Sequence, residues 1–111
     1  MNLASQERIR YMLSYIHRNY AEKIRLQQIA DSASISEREA LRCFQKTLNR
    51  TPFDYLNEYR LNQARKLLIE TDLPITRIAL ETGFSNSAYF GKVFRKAYQI
   101  TPKEYQDEYR K

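Results

Sequence analysis

The chain has 111 residues, 42% of them apolar and 29% charged, with a formal net charge of +6, which suits one compact domain and favours an anionic partner. A single cysteine excludes an internal disulfide and cannot by itself build a zinc site, and two glycines cannot build a phosphate-cradling loop. No apolar run approaches the roughly 20 residues a bilayer needs, and MNLASQERIR lacks the apolar core of a signal peptide, so a cytoplasmic protein without membrane contact is expected.

Good helix formers broken by few glycines and prolines predict an all-α fold. Ser5 is the expected cap of a first helix with a buried stripe of Ile9, Met12, Leu13, Ile16 and Tyr20, while Arg8, Arg10 and Arg18 face outward. This helix is expected to pack across the next three. His17 lies beside the stripe with no second His or Cys near it, the position of a solvent-edge side chain rather than a metal ligand. Leu26, Ile29 and Ala30 predict a short second helix, and Ser32-Ala33-Ser34 a turn. Ser36-Glu37-Arg38-Glu39 matches a capping box, in which the serine hydroxyl accepts from the Glu39 backbone N–H and the glutamate returns the bond. The helix beginning there has Ala40, Cys43, Phe44, Thr47 and Leu48 on its core face and Arg38, Leu41, Arg42 and Gln45 on its outer face. Arginine and glutamine are the side chains that pair with guanine and adenine edges. Leu41 among them either contacts a thymine methyl or packs on a neighbouring helix. Asn49 suits a left-handed stop.

Thr51-Pro52 pairs a cap with a proline at the first helical position and opens a long helix to about Thr71, with Phe53, Leu56, Ala64, Leu67 and Leu68 as its apolar residues. Its roughly 20 residues span about 30 Å, close to the ~34 Å of one DNA turn, although a long bundle helix explains the same residues. Asp72-Leu73-Pro74 breaks the chain, and Ile75, Ile78 and Ala79 form a short helix ending at Gly83, where positive φ costs nothing. Phe84 follows as an apolar anchor and Ser85 as the expected cap of the next helix. There Phe90, Val93, Phe94 and Ala97 share one face, with Ala88, Gly91, Lys92 and Arg95 opposite. A packed back with a small, basic front suits a major groove; the competing reading is a surface helix with solvated cations. Thr101-Pro102-Lys103-Glu104 then starts a last helix with a second capping box.

The same pattern occurs twice, about 50 residues apart. Ile29-Ala30 corresponds to Ile78-Ala79, Ser36 to Ser85, Phe44 to Phe94, Thr51-Pro52 to Thr101-Pro102, Tyr55 to Tyr105, and Glu58-Tyr59-Arg60 to Glu108-Tyr109-Arg110. The register slips by one between serine and phenylalanine, which predicts one extra residue near the start of the second outward helix and sets Arg42 opposite Lys92. Two repeats with a linking helix argue against a solenoid.

The halves IADSASISEREALRCFQKTLNRTPFDYL and IALETGFSNSAYFGKVFRKAYQITPKEY resemble the two helix-turn-helix motifs of the AraC family (AraC/XylS) of bacterial transcription regulators, from about Gln6 to Arg110. The resemblance implies seven helices forming two homeodomain-like helix-turn-helix subdomains, about 5–50 and 72–111, joined by a linker helix of about 52–71. It also implies recognition helices in successive major-groove segments of double-stranded DNA. By family position the base-reading candidates are Arg38, Leu41 and Arg42 in the first motif and Ser87, Ala88, Tyr89, Gly91 and Lys92 in the second. Ser36, Gln45, Lys46, Ser85, Asn86, Arg95 and Lys96 are the phosphate candidates, with backbone N–H groups at the helix starts after Ser36, Ser85 and Pro74 adding to them. Ser34, Asn49 and Gln99 stand where the family often has glycine, which puts local turn geometry in question. Glu39 is assigned to capping, and Glu37, if it reaches DNA, accepts from a cytosine amino group.

No cofactor, metal or catalytic site is expected, because no nucleophile and base pair or metal-spaced cluster is evident. Family members often carry an effector-binding or dimerising domain outside such a segment, and the start just before the first helix favours an excised C-terminal domain over a stand-alone regulator. The rival class is a helical protein-interaction module, such as an RNA polymerase adaptor, whose basic faces meet acidic surfaces.

Overall fold

Apolar residues at helical spacing, interrupted at turn residues, fold the chain into seven helices in a computed structural model that describes residues 3–110. They are α1 (Leu3–Asn19), α2 (Leu26–Ser32), α3 (Glu37–Leu48), α4 (Pro52–Glu70), α5 (Ile75–Glu81), α6 (Ser87–Tyr98) and α7 (Pro102–Tyr109), with no strand among the described residues. The chain divides within α4, between Glu58 and Tyr59, into two compact units.

In the first unit, α1 packs on α2, α3 and the opening turns of α4. Its core joins Ile9, Met12 and Ile16 to Ile24, Ile29, Ala30, Ala40, Cys43, Phe44 and Leu56. His17 is exposed, as its sequence position predicts, and its Nε2 lies 2.6 Å from the Tyr55 hydroxyl. Partial burial of the ring draws its pKa below the ordinary value. The second core is built from Leu61, Ala64 and Leu68 of α4 with Ile78, Ala79, Phe84, Phe90 and Phe94. There the buried Gln106 of α7 donates from Nε2 to the Leu68 carbonyl at 3.2 Å, and Arg110 pairs with Asp72.

The duplication runs further than residue identities reveal. Ile9, Met12 and Ile16 of α1 and Leu61, Ala64 and Leu68 of α4 have the same i, i+3, i+7 spacing and line equivalent cores. Helix α4 therefore closes the first copy and opens the second.

Several expectations are corrected. Ser5 lies inside α1 and not at its cap. Phe53 is 40% exposed, since Pro52 and Leu56 occupy the inner side of the first turns of α4. Ala97 is exposed, and Tyr98 continues the apolar face instead, its ring 4.7 Å from that of Phe94 and under the Arg65 guanidinium. At Thr101 the capping box is complete: its hydroxyl accepts from the Glu104 N–H at 3.1 Å while Glu104 Oε1 accepts from the Thr101 N–H at 2.8 Å. Hydrogen bonding by the Thr101 backbone N–H, and then by its side chain, holds the Glu104 carboxyl below the usual carboxylate pKa range. At Ser36 only half the box forms. The serine accepts from the Glu39 N–H at 3.1 Å, and the Glu39 carboxylate turns to arginines.

Ser34, Asn49 and Gln99 have φ of 56°, 56° and 66°, so the turns keep the left-handed geometry that glycine gives more readily. Asn49 and Gln99 end α3 and α6, their backbone N–H groups donating to the Gln45 and Arg95 carbonyls. Asparagine tolerates this region; glutamine does so less well. Gln99→Gly is accordingly expected to raise stability by about 0.5–1 kcal/mol and Asn49→Gly by less. Urea denaturation of the three proteins measures the order, and a destabilised Gln99→Gly would mean that the glutamine side chain holds the turn.

Candidate nucleic-acid interface

Each unit presents one twelve-residue helix whose inner face is fixed in the core. In α3, Ala40, Cys43 and Phe44 are buried. That leaves Arg38, Leu41, Arg42, Gln45 and Lys46 exposed, as expected. Arg42 is the most open of the ion-paired side chains there, 74% exposed, with Nη1 3.0 Å from Glu39 Oε1. Gln45 donates from Nε2 to Asn49 Oδ1 at 2.6 Å, so its amide is tied to the end of the helix. Leu41 is 43% exposed and belongs to neither core. Ser36 is the observed cap, its hydroxyl accepting from the Glu39 N–H.

In α6, Phe90 and Phe94 are buried, while Ala88, Tyr89, Lys92, Arg95 and Lys96 are exposed and Ser87 and Gly91 half-buried. Ser87, Ala88, Gly91, Lys92, Arg95 and Lys96 line an open concavity of about 800 Å³, together with Gln99, Thr101 and Pro102. A methyl group added at Gly91 would meet no atom within 4 Å. Nothing inside the protein therefore requires glycine there, and its effect is to lower the helix surface by one side chain. Tyr89 is exposed, with its ring 6.3 Å from that of Phe84. Arg60 of α4 lies within electrostatic reach of Tyr89, and its own half-burial draws its pKa down.

The cap of α6 is Asn86, whose Oδ1 accepts from the Tyr89 N–H at 2.7 Å; Ser85 is an exposed residue preceding it. This corrects the expected equivalence, because Ser36 corresponds to Asn86. The extra residue of the second copy falls in the turn, between Phe84 and Asn86, and both outward helices run twelve residues from cap to left-handed stop. Arg42 and Lys92 consequently follow their caps at the same count. The pairs Arg38 and Ala88, Leu41 and Gly91, and Gln45 and Arg95 match in the same register. Glu37 is exposed in the first turn of α3. Sequence reasoning missed Arg8, which reaches from α1 to Glu39 at 3.5 Å and joins the margin of this face; no local signal pairs residues so far apart. Among the described residues no group of His, Cys, Asp and Glu is placed to hold a metal ion.

The helix-turn-helix domain family matches residues 29–108. An uncharacterized HTH-type transcriptional regulator of Bacillus subtilis, YdeC, is 34% identical over 93% of this chain and 35% of its own length. The HTH-type transcriptional activator RhaS of Pectobacterium atrosepticum is 35% identical over 92% of this chain and 37% of its own. The chain thus spans little more than a third of these relatives. Among solved structures, a transcriptional regulator of Chromobacterium violaceum described as AraC-type DNA-binding domain-containing superposes with a TM-score of 0.87 at 34% identity, covering 96% of each chain. The DNA-binding domain of AdpA, solved with a target DNA, shares the fold with a TM-score of 0.84 at 23% identity, over 88% of each chain.

The open space around Gly91 gives a direct stability test. Gly91→Ala is expected to stabilise the protein by about 0.5–1 kcal/mol, the helix-interior difference between the two residues. Thermal or urea unfolding checks this, and a destabilised variant would reveal an internal contact at that site.

Proposed function

The chain belongs to the AraC-type family of helix-turn-helix transcription regulators, and from that premise we propose that it is a sequence-specific double-stranded DNA-binding domain acting in transcription regulation. One observation carries the reading. In each unit a twelve-residue helix has its phenylalanine side chains buried behind it, and a long cation, Arg42 or Lys92, stands exposed at the same count from the cap. A helix of this width fits the major groove, and an arginine or lysine there can reach guanine O6 and N7.

On this reading Arg38, Leu41 and Arg42 read bases from α3, and Ser87, Ala88, Tyr89, Gly91 and Lys92 from α6, in successive major-groove segments. Ser36, Gln45, Lys46, Ser85, Asn86, Arg95 and Lys96 meet phosphates. Residues 5–50 and 72–111 serve as the two reading subdomains and 52–71 as the helix between them. The greater length of the relatives supports an effector-binding or dimerising region outside these residues, and RNA polymerase is the second partner proposed. No helix among the described residues is long and apolar enough to cross a membrane; a cytoplasmic site of action follows from the proposed role.

Selection of bound fragments from random duplex DNA tests the proposal and should return a motif in two parts about one helical turn apart. Arg42→Ala and Lys92→Ala should each cost roughly 1–3 kcal/mol on the selected site and much less on random duplex. Equal losses on both would reduce these residues to backbone contacts. Binding that needs no particular sequence and vanishes near physiological salt would favour the protein-interaction module instead.

A further inference from the structure

Glu39 occupies the third position of α3, where local grammar assigns its carboxylate to the Ser36 backbone N–H. The carboxylate does not take that bond. Its Oε1 lies 3.0 Å from Arg42 Nη1 and its Oε2 3.5 Å from Arg8 Nη1, bridging α3 to α1 at the margin of an opening of about 310 Å³ that also touches Lys46. A complete box in the same molecule, Thr101 with Glu104, shows that the capping geometry is attainable in this fold. Glu39 is thus an acid held between two arginines, at the edge of a face assigned to a polyanion.

Such a carboxylate has two opposed effects. It repels every duplex alike, because phosphate charge is independent of sequence. It also restrains a flexible guanidinium: Arg42 is 74% exposed, and the bond to Glu39 engages Nη1, leaving Nη2 and Nε for the paired contact that guanine accepts. A restrained arginine loses less freedom when its correct base is offered and adapts less readily to a wrong one.

We propose that Glu39 is a positioning residue for sequence discrimination, holding Arg42 for base contact while penalising duplexes that offer Arg42 no matching edge. This rests on the DNA-binding reading above. The test compares affinities for the selected site and for random duplex in the intact chain, with Glu39→Gln, Arg42→Ala and the double variant. Glu39→Gln is expected to tighten random-duplex binding about two- to fivefold, the scale of one exposed ion pair, while binding to the selected site stays level or weakens, so that discrimination falls. In the Arg42→Ala background the same substitution should change both DNAs by one common factor, leaving discrimination where Arg42→Ala alone puts it. Thermal melting separates loss of fold from loss of discrimination. A discrimination ratio untouched by Glu39→Gln, or the same fall without Arg42, would each overturn the proposal while leaving DNA binding intact. A wild-type chain with no sequence preference would overturn both readings together.

Discussion

What turns each outward helix to face solvent with its cations is the burial of aromatic rings behind it. Phe44 in α3 and Phe94 in α6 are fully enclosed, Phe94 between Phe90, Tyr98 and Tyr105. Emptying such a site costs about 3–5 kcal/mol, whereas an exposed ion pair contributes under about 1 kcal/mol. The apolar term therefore decides the rotation of the helix about its axis. The charged front is then whatever the back leaves uncovered.

Behind the two helices the units repeat closely; in front they diverge. The face of α3 carries long side chains, two arginines and an exposed leucine, with an acid at its edge. The face of α6 carries Ala88 and Gly91 ahead of Lys92, so its backbone is open to close approach. One helix is built to reach outward and the other to be approached.

Much of this was legible in the residues, because the signals were doubly encoded. Ile29-Ala30 and Ile78-Ala79, the buried phenylalanines and the Thr-Pro starts each combine periodicity with a capping or turn preference, and each recurs. Cap positions were less legible. Ser85, Asn86 and Ser87 are all competent caps, and the choice falls to Asn86, which follows the core-anchored Phe84 and reaches the Tyr89 N–H. Ala97 and Tyr98 both lie near the edge of the apolar stripe, and ring contacts select Tyr98. The pairing of Glu39 with Arg8 depended on α1 meeting α3, which no window of sequence contains. Which outward residues touch bases depends on a second molecule, so a sequence supplies candidates and not roles.

The one-residue difference between the copies lies in a turn, at Ser85, and not between cap and stop. An insertion there lengthens a connection and leaves every side chain of α6 facing as before. Placed within the helix, the same insertion would advance all later residues by about 100°, sending cations inward and rings out to water. Length variation among descendants of such a chain is therefore confined to its corners, while the span from cap to stop behaves as a fixed word whose letters can change but whose spelling length cannot.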